Sequence, residues 1–172
     1  MNEKIYKYDQ LTGLPNRVEI EELLKELQEE DRLYVFASIE LDHSKTLNDN
    51  FGHQFEDLVL QTYSNFLQNN FELKENDRIL RLGGEEFLLL LELDNIVGYN
   101  AFAESIARRL NSFNKESISA SAVVMVWDTK DTGFDQLYPK VDQLLYKAKE
   151  AGRKRVCYLD NDGNEQFVIA DL

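Results

Sequence analysis

The stretch of this chain with the most chemical content is 81–90, where two glycines separate two apolar runs and two acids follow them. Gly83 and Gly84, between strand-like segments, predict a tight hairpin turn. Because glycine has no Cβ, a ligand can approach the backbone closely there. Glu85 and Glu86, at the base of an apolar strand, are costly to place unless a cation binds them. The turn therefore predicts a metal-bound phosphate as its ligand.

Two other segments, 40–57 and 149–153, carry further acids and cations. They offer carboxylates for Mg²⁺ (or Mn²⁺), cations for phosphate groups, and two side chains able to hydrogen-bond the edge of a base, Asn48 and Asp57. Mg²⁺ sites commonly combine one or two carboxylates with the phosphates of a substrate. The three segments together predict a site for a metal-bound nucleotide.

Apolar spacing predicts the elements that position these segments. The predicted strands are 33–41, 78–82, 86–93, 118–127, 156–159 and 165–169, and the predicted helices are 55–70, 96–113 and one from Leu137 to Ala148 that ends at Gly152. A further helix follows Pro15, with Asn16 as its N-cap. In the helix 96–113 we expect Phe102, Ile106, Leu110 and Phe113 to face inward.

The order of elements from Leu33 is strand, helix, hairpin, helix, strand, which is the β-α-β-β-α-β plan of an α/β (α+β) ferredoxin-like core. This plan predicts a mainly antiparallel sheet with helices packed on one face. It brings the end of the first strand, near Glu40 and Asp42, beside the turn at Gly83 and Gly84. Acids that are far apart in sequence would then meet at one edge of the sheet.

Length and charge limit the classes of function. The 172 residues predict a single domain, 1–172, with a core of about 9–158 and an extra C-terminal hairpin at about 155–170. The net charge of −13 argues against nucleic acid and against membrane contact, since both partners need a basic face. The chain has one cysteine, Cys157, no run of transmembrane length and no signal peptide, so we expect a cytoplasmic location.

The chain resembles the GGDEF family, the diguanylate cyclases. The resemblance runs through the opening motif from Asp9 to Arg17, the Gly-Gly-Glu-Glu-Phe turn, and the Lys-x-x-x-Gly-Arg ending at 149–153. It implies a palm-like fold, as in nucleotidyl cyclases, with a central sheet surrounded by helices. It also implies condensation of two GTP into cyclic di-GMP with release of pyrophosphate, across a homodimer that holds one GTP in each subunit. An upstream sensory domain in a longer, membrane-bound receptor would be typical of such a domain.

The resemblance also implies roles for individual positions. The metal positions are Glu40, the carbonyl of Leu41, Glu85 and Glu86, and the last two are also the catalytic acids. The guanine-reading positions are Asn48 and Asp57. The phosphate-contacting positions are Lys45, Lys149 and Arg153. The remaining substrate-binding positions are His43, Ser44, Gly83 and Gly84. Simpler roles remain open: Glu40 as a surface acid, Asn48 as a helix N-cap, and Lys149 and Arg153 as cations that complement a helix C-terminus.

The chain departs from the family pattern near the site: Glu40 stands where Asp is usual, Ser44 where Phe is common, and Glu56 where Gly is common, and the strand segment 118–122 lacks the usual glycine. Glu keeps the charge but adds a methylene, and Mg²⁺ demands near-ideal octahedral geometry at about 2.1 Å. Either the strand shifts to compensate or Asp42 assists. The alternative function is therefore a catalytically weak or silent domain that binds GTP or transmits a signal. A cyclase for another dinucleotide is less favoured, because the carboxylate of Asp57 suits the N1–H and amino donors of guanine.

The family's inhibitory Arg-x-x-Asp motif corresponds here to Lys74 and Asp77. Lysine cannot make the planar bidentate contacts of arginine to a phosphate or a guanine edge. We therefore expect this inhibitory site to be degenerate, with weak or absent product inhibition.

Overall fold

The computed structural model describes residues 8–42, 49, 51–114 and 118–169. In chain order its elements are α1 (Arg17–Glu29), β1 (Leu33–Leu41), α2 (His53–Asn70), β2 (Arg78–Gly83), β3 (Glu86–Leu93), α3 (Tyr99–Asn111), β4 (Ala120–Asp128), α4 (Phe134–Glu150), β5 (Arg155–Leu159) and β6 (Glu165–Ile169). The strands form a six-stranded sheet in the order β2-β3-β1-β4-β5-β6. Strands β4 and β5 pair in parallel, and the other neighbours are antiparallel. The mainly antiparallel α/β fold predicted from the sequence is confirmed.

Helices cover both faces of the sheet. Helices α2 and α3, which belong to the β-α-β-β-α-β unit, pack on one face around Tyr63, Leu67 and Ile106. Helices α1 and α4 pack on the other face around Trp127 and Val141. The expectation of helices on one face, drawn from the ferredoxin-like plan, is therefore wrong for the whole chain, because the nearly continuous apolar strands β1, β3 and β4 are buried on both sides. The central sheet surrounded by helices, which the resemblance implies, is confirmed.

Local signals explain where the helices begin. The side chain of Asn16 accepts hydrogen bonds from the amides of Val18 and Glu19, which confirms the predicted N-cap of α1. Helix α3 begins at Tyr99, later than predicted, because Gly98 takes a left-handed conformation with φ +80°. The inward face of α3 was predicted wrongly at Phe102, whose side chain is exposed.

The C-terminal hairpin extends the sheet. Strand β5 pairs with β4, and β6 forms the outer edge, with Val168 buried in the core and its neighbours exposed. Among the described helices, none combines the length and the apolar character needed to cross a bilayer.

Candidate active site

The register of β1 and β3 brings two acids together. Glu40, the penultimate residue of β1, lies directly opposite Glu86, the first residue of β3. The amide of Leu41 donates a hydrogen bond to the carbonyl of Glu85 at 3.1 Å. The predicted meeting of the first strand with the glycine turn is confirmed.

The turn between β2 and β3 is held by an arginine. Gly84 has φ +49°, a left-handed conformation that favours glycine. The guanidinium of Arg81 donates to the carbonyl of Gly84 from Nε (3.1 Å) and Nη2 (2.8 Å), and from Nη1 to Asp9 Oδ1 at 2.8 Å. The turn therefore depends on the opening motif of the chain.

Asp9, which accepts a hydrogen bond from Arg81, is itself held in place by Thr12. Its Oδ2 accepts hydrogen bonds from the amide and the hydroxyl of Thr12, at 2.8 and 2.7 Å. Partial burial raises the pKa of Asp9, but the donors of Thr12 and Arg81 outweigh it and leave the pKa below its ordinary value. The sequence does not single out Asp9 or Arg81 as individual site residues, since nothing local to either predicts a contact across 72 positions.

Helix α4 turns three polar side chains toward the paired acids. Tyr138, Asp142 and Lys149 have the spacing of one helix face. Lys149 Nζ lies 2.5 Å from Glu40 Oε2, and the Tyr138 hydroxyl donates to Glu86 Oε2 at 3.2 Å. The sequence predicted Lys149 as a site residue and missed Tyr138 and Asp142.

The electrostatics of the site reflect an excess of negative charge. Burial raises the pKa of Glu86, and the charge of Glu40 raises it further, against the weaker effect of the Tyr138 hydrogen bond. Burial also raises the pKa of Asp142, where Lys149 acts in the opposite direction and Glu40 adds to the rise. The site therefore favours the arrival of a cation.

Asp42 does not assist Glu40, although it follows two residues later. It is buried, and its carboxylate accepts hydrogen bonds from the hydroxyls of Ser119 (2.7 Å) and Ser121 (2.6 Å) and from the amide of Lys154 (3.0 Å). Lys154 and Arg153 have φ of 53° and 60°, which is uncommon for residues other than glycine. Asp42 therefore anchors the strained turn that carries Arg153.

The other predicted positions are spread over the fold. Asp57 is exposed on α2, and Arg153 is half-buried after α4. His43, Ser44, Lys45 and Asn48 lie outside the described residues.

The predicted inhibitory pair lies at the opposite end of β3. Lys74 is exposed, whereas Asp77 is buried and accepts hydrogen bonds from the amides of Lys74 (3.0 Å) and Glu92 (2.8 Å). The carboxylate of Asp77 therefore has a structural role in the fold.

The residues at the site fit a divalent cation completed by a substrate. Within the described ranges, no group of three metal-ligating side chains is close enough to hold an ion alone. Two facing carboxylates are nevertheless hard oxygen ligands of the kind that Mg²⁺ combines with substrate phosphates. The ammonium of Lys149 against Glu40 marks the same place as favourable for positive charge.

The fold is palm-like, as in nucleotidyl cyclases. Residues 6–155 match the family described as "Diguanylate cyclase, GGDEF domain", and the chain belongs to this family. The predicted family is thereby confirmed.

Known relatives share the domain. The chain is 34% identical over 160 residues to the diguanylate cyclase DgcP of Pseudomonas aeruginosa, covering 86% of this chain and 23% of that protein. It is 30% identical over 166 residues to the bifunctional diguanylate cyclase/cyclic di-GMP phosphodiesterase MucR of the same species, covering 91% of this chain and 24% of that protein. The crystal structure of P. aeruginosa diguanylate cyclase SiaD with its activator SiaC is similar with a TM-score of 0.73 and 30% identity, covering 88% of this chain and 61% of that chain. The chain thus spans about a quarter of the length of DgcP and MucR.

Proposed function

We propose that this protein is a diguanylate cyclase, which condenses two GTP molecules into cyclic di-GMP and releases pyrophosphate with the help of Mg²⁺ or Mn²⁺. The observation that carries the proposal is the facing pair of Glu40 and Glu86 at the glycine turn, with Lys149 directed at the same pair. Paired carboxylates beside a cation suit a metal-bound triphosphate. Membership of the family and the similarity to DgcP support the same reaction.

The chain's own part in this reaction is to hold and orient the nucleotide. Lys149 and Arg153 would contact the phosphates, and Asp57 would accept the N1–H and amino protons of guanine. The 3′-hydroxyl oxygen of one GTP attacks the α-phosphorus of the other. An O–P bond forms as the bond to the bridging oxygen of pyrophosphate breaks, and the hydroxyl proton passes to an acidic side chain or to water. A second, identical step closes the ring.

The proposed metal site consists of Glu40, the Leu41 carbonyl, Glu85 and Glu86. A bound Mg²⁺ would polarise the α-phosphate and lower the cost of forming the alkoxide. The two GTP molecules must face each other, so we place one in each subunit of a homodimer that forms at least transiently.

A turnover assay tests the proposal. The protein is incubated at high concentration with GTP and Mg²⁺ or Mn²⁺, and the product is identified by mass spectrometry. We expect cyclic di-GMP with GTP and no cyclic dinucleotide with ATP, and a folded Glu86→Gln variant should form cyclic di-GMP at least about a hundredfold more slowly. A folded wild-type sample that yields no cyclic dinucleotide with either metal contradicts the proposal.

The second candidate function is a silent domain that binds GTP and signals. The ion pair between Lys149 and Glu40, at 2.5 Å, favours it, because the pair engages a proposed metal ligand and a proposed phosphate ligand at once. This candidate predicts calorimetric GTP binding without turnover. Turnover by the wild-type protein excludes it.

A further inference from the structure

Helix α4 provides a separate polar partner for each of the two facing acids. Lys149, at its C-terminal end, contacts Glu40. Tyr138 lies on the same face about three turns earlier and donates its hydroxyl to Glu86 Oε2 at 3.2 Å. Lys149 thus forms its ion pair with Glu40, whereas the hydrogen bond from α4 to Glu86 comes from a neutral hydroxyl.

The ring of Tyr138 is held in place by packing. It is half-buried, and its centroid lies 5.3 Å from that of Phe134 one turn before it. The two rings belong to the wall of a groove of about 600 Å³ between α1 and α4. Because the ring is fixed by these contacts, its hydroxyl has a defined position relative to Glu86.

The Glu86 carboxylate needs such a restraint, because it lies opposite another carboxylate. Like charges directly across an antiparallel pair repel each other, and an unrestrained Glu86 would rotate away from Glu40. The hydrogen bond occupies Oε2 and leaves Oε1 for a metal ion or a substrate proton. We propose that Tyr138 is a positioning residue, which holds the Glu86 carboxylate beside Glu40 in the orientation that divalent-cation binding requires.

The consequence for turnover rests on the proposed function, but the consequence for cation binding can be measured without turnover. In the Tyr138→Phe variant the ring remains and the donor is lost. We expect its Mn²⁺ affinity, measured by electron paramagnetic resonance with a non-reactive GTP analogue, to fall by about tenfold. We expect kcat to fall by a similar factor, while KM for GTP stays within about twofold of wild type, because Tyr138 would act on the acid and not on the nucleotide.

Tyr146→Phe is the matched control. Tyr146 lies on the same helix with 64% of its surface exposed, and it is outside the site. We expect this variant to bind Mn²⁺ as the wild type does.

A double-mutant cycle on the metal-free protein provides a second measurement. Urea unfolding of the wild type, Tyr138→Phe, Glu86→Ala and the double variant tests whether the hydrogen bond exists. We expect a non-zero coupling between the two sites, so that the tyrosine change has no effect once Glu86 is removed.

The proposal is overturned if folded Tyr138→Phe matches the wild type within twofold in Mn²⁺ affinity. It is equally overturned if the variant only lowers stability, or if the cycle shows no coupling. Absence of turnover in the wild type would refute the proposed function and leave the cation-binding test of Tyr138 intact.

Discussion

Strand β3 carries a glutamate near each end, and the surroundings of the two side chains shift their pKa values in opposite directions. At one end, Glu92 accepts hydrogen bonds from Arg32 (2.6 Å) and Asn76 (3.2 Å). Burial raises the pKa of Glu92, but these donors outweigh it and leave the pKa below its ordinary value. At the other end Glu86, on the same face of the strand, has its pKa raised by burial and by Glu40.

The two ends of β3 differ in the positive charge that lies next to each glutamate. Arg32 bridges two carboxylates, Glu30 and Glu92, with a planar group suited to both. Among the described residues, Lys149 forms its ion pair with Glu40, and the side-chain hydrogen bond to Glu86 comes from the neutral hydroxyl of Tyr138. Lys149 lowers the pKa of Glu86 less than burial and Glu40 raise it. Carboxylates held together without matching cations are unfavourable for folding, and such sites cluster where a ligand supplies the missing charge. The end of the sheet at the glycine turn is therefore the functional one.

The largest difference between the two ends of β3 is expected when Glu86 is neutralised. Glu86→Gln should lower turnover by about a hundredfold or more, the usual effect of removing one charge-stabilising group from an active site. Its stability should stay equal or rise, because the repulsion with Glu40 is removed. Steady-state kinetics and urea unfolding check this, and a variant that loses stability but keeps turnover would reverse our assignment of the two ends.

Asp42 lies at the functional end of the sheet, but unlike Glu86 it receives three hydrogen bonds from the fold. Asp42→Asn should cost about 2 kcal/mol of unfolding free energy, because an amide cannot accept all three hydrogen bonds. KM for GTP should also rise, since the turn that carries Arg153 loses its anchor. Thermal unfolding and kinetics measure both effects, with Asp94→Asn, at an exposed position, as the control. Unchanged stability would show that the carboxylate is not the anchor.

Shortening Glu40 tests the ion pair that separates the two candidate functions. Glu40→Asp removes one methylene, so the carboxylate is drawn back from Lys149, the ion pair weakens and both groups become more available to ligands. At limiting Mg²⁺ we expect turnover to rise by about fivefold, which corresponds to the upper range for a partly exposed ion pair. Kinetics across a Mg²⁺ titration measure the change, and a fall in turnover would mean that the longer side chain is the better ligand here.

At the opposite end of β3, Glu92→Gln should affect stability and leave turnover unchanged. Because the folded-state pKa of Glu92 is lowered, its contribution is complete above the unfolded value of about 4.3 and is lost as pH falls through the folded pKa. We expect a loss of about 1 kcal/mol at neutral pH that disappears in acid. Urea unfolding at several pH values checks this, and a loss that persists at low pH would exclude the charged contact as its source.

The smallest effect is expected at Lys74. The carboxylate of Asp77 already accepts hydrogen bonds from two backbone amides. Lys74 has no planar guanidinium that could make bidentate contacts. Cyclic di-GMP should therefore bind at this pair more weakly than micromolar. Titration calorimetry on the wild type and on Lys74→Ala should give the same result. Micromolar or tighter binding that disappears in the variant would contradict this prediction.

Much of the fold could be predicted because its signals are local. The bounds of β1 agree with the predicted 33–41, and the hairpin of β2 and β3 lies where Gly83 and Gly84 place it. Apolar alternation and glycine turns are patterns of a few neighbouring residues, so strands and hairpins can be predicted directly from the sequence. The placement of α1 and α4 on the second face could not be derived from the ferredoxin-like plan, which accounts only for the helices inside it.

The candidate site divides in the same way. The sequence was enough to predict that acids would meet at the glycine turn, because the order of its elements matches the β-α-β-β-α-β plan, which brings the end of β1 beside that turn. The partner of each acid is visible only in the folded chain: Glu40 pairs with Lys149, Glu86 with Tyr138, and Asp42 with the Lys154 amide. These partners lie dozens of residues away along the chain, and the charge and hydrogen bonds that a carboxylate receives depend on distance in space, which no local pattern records.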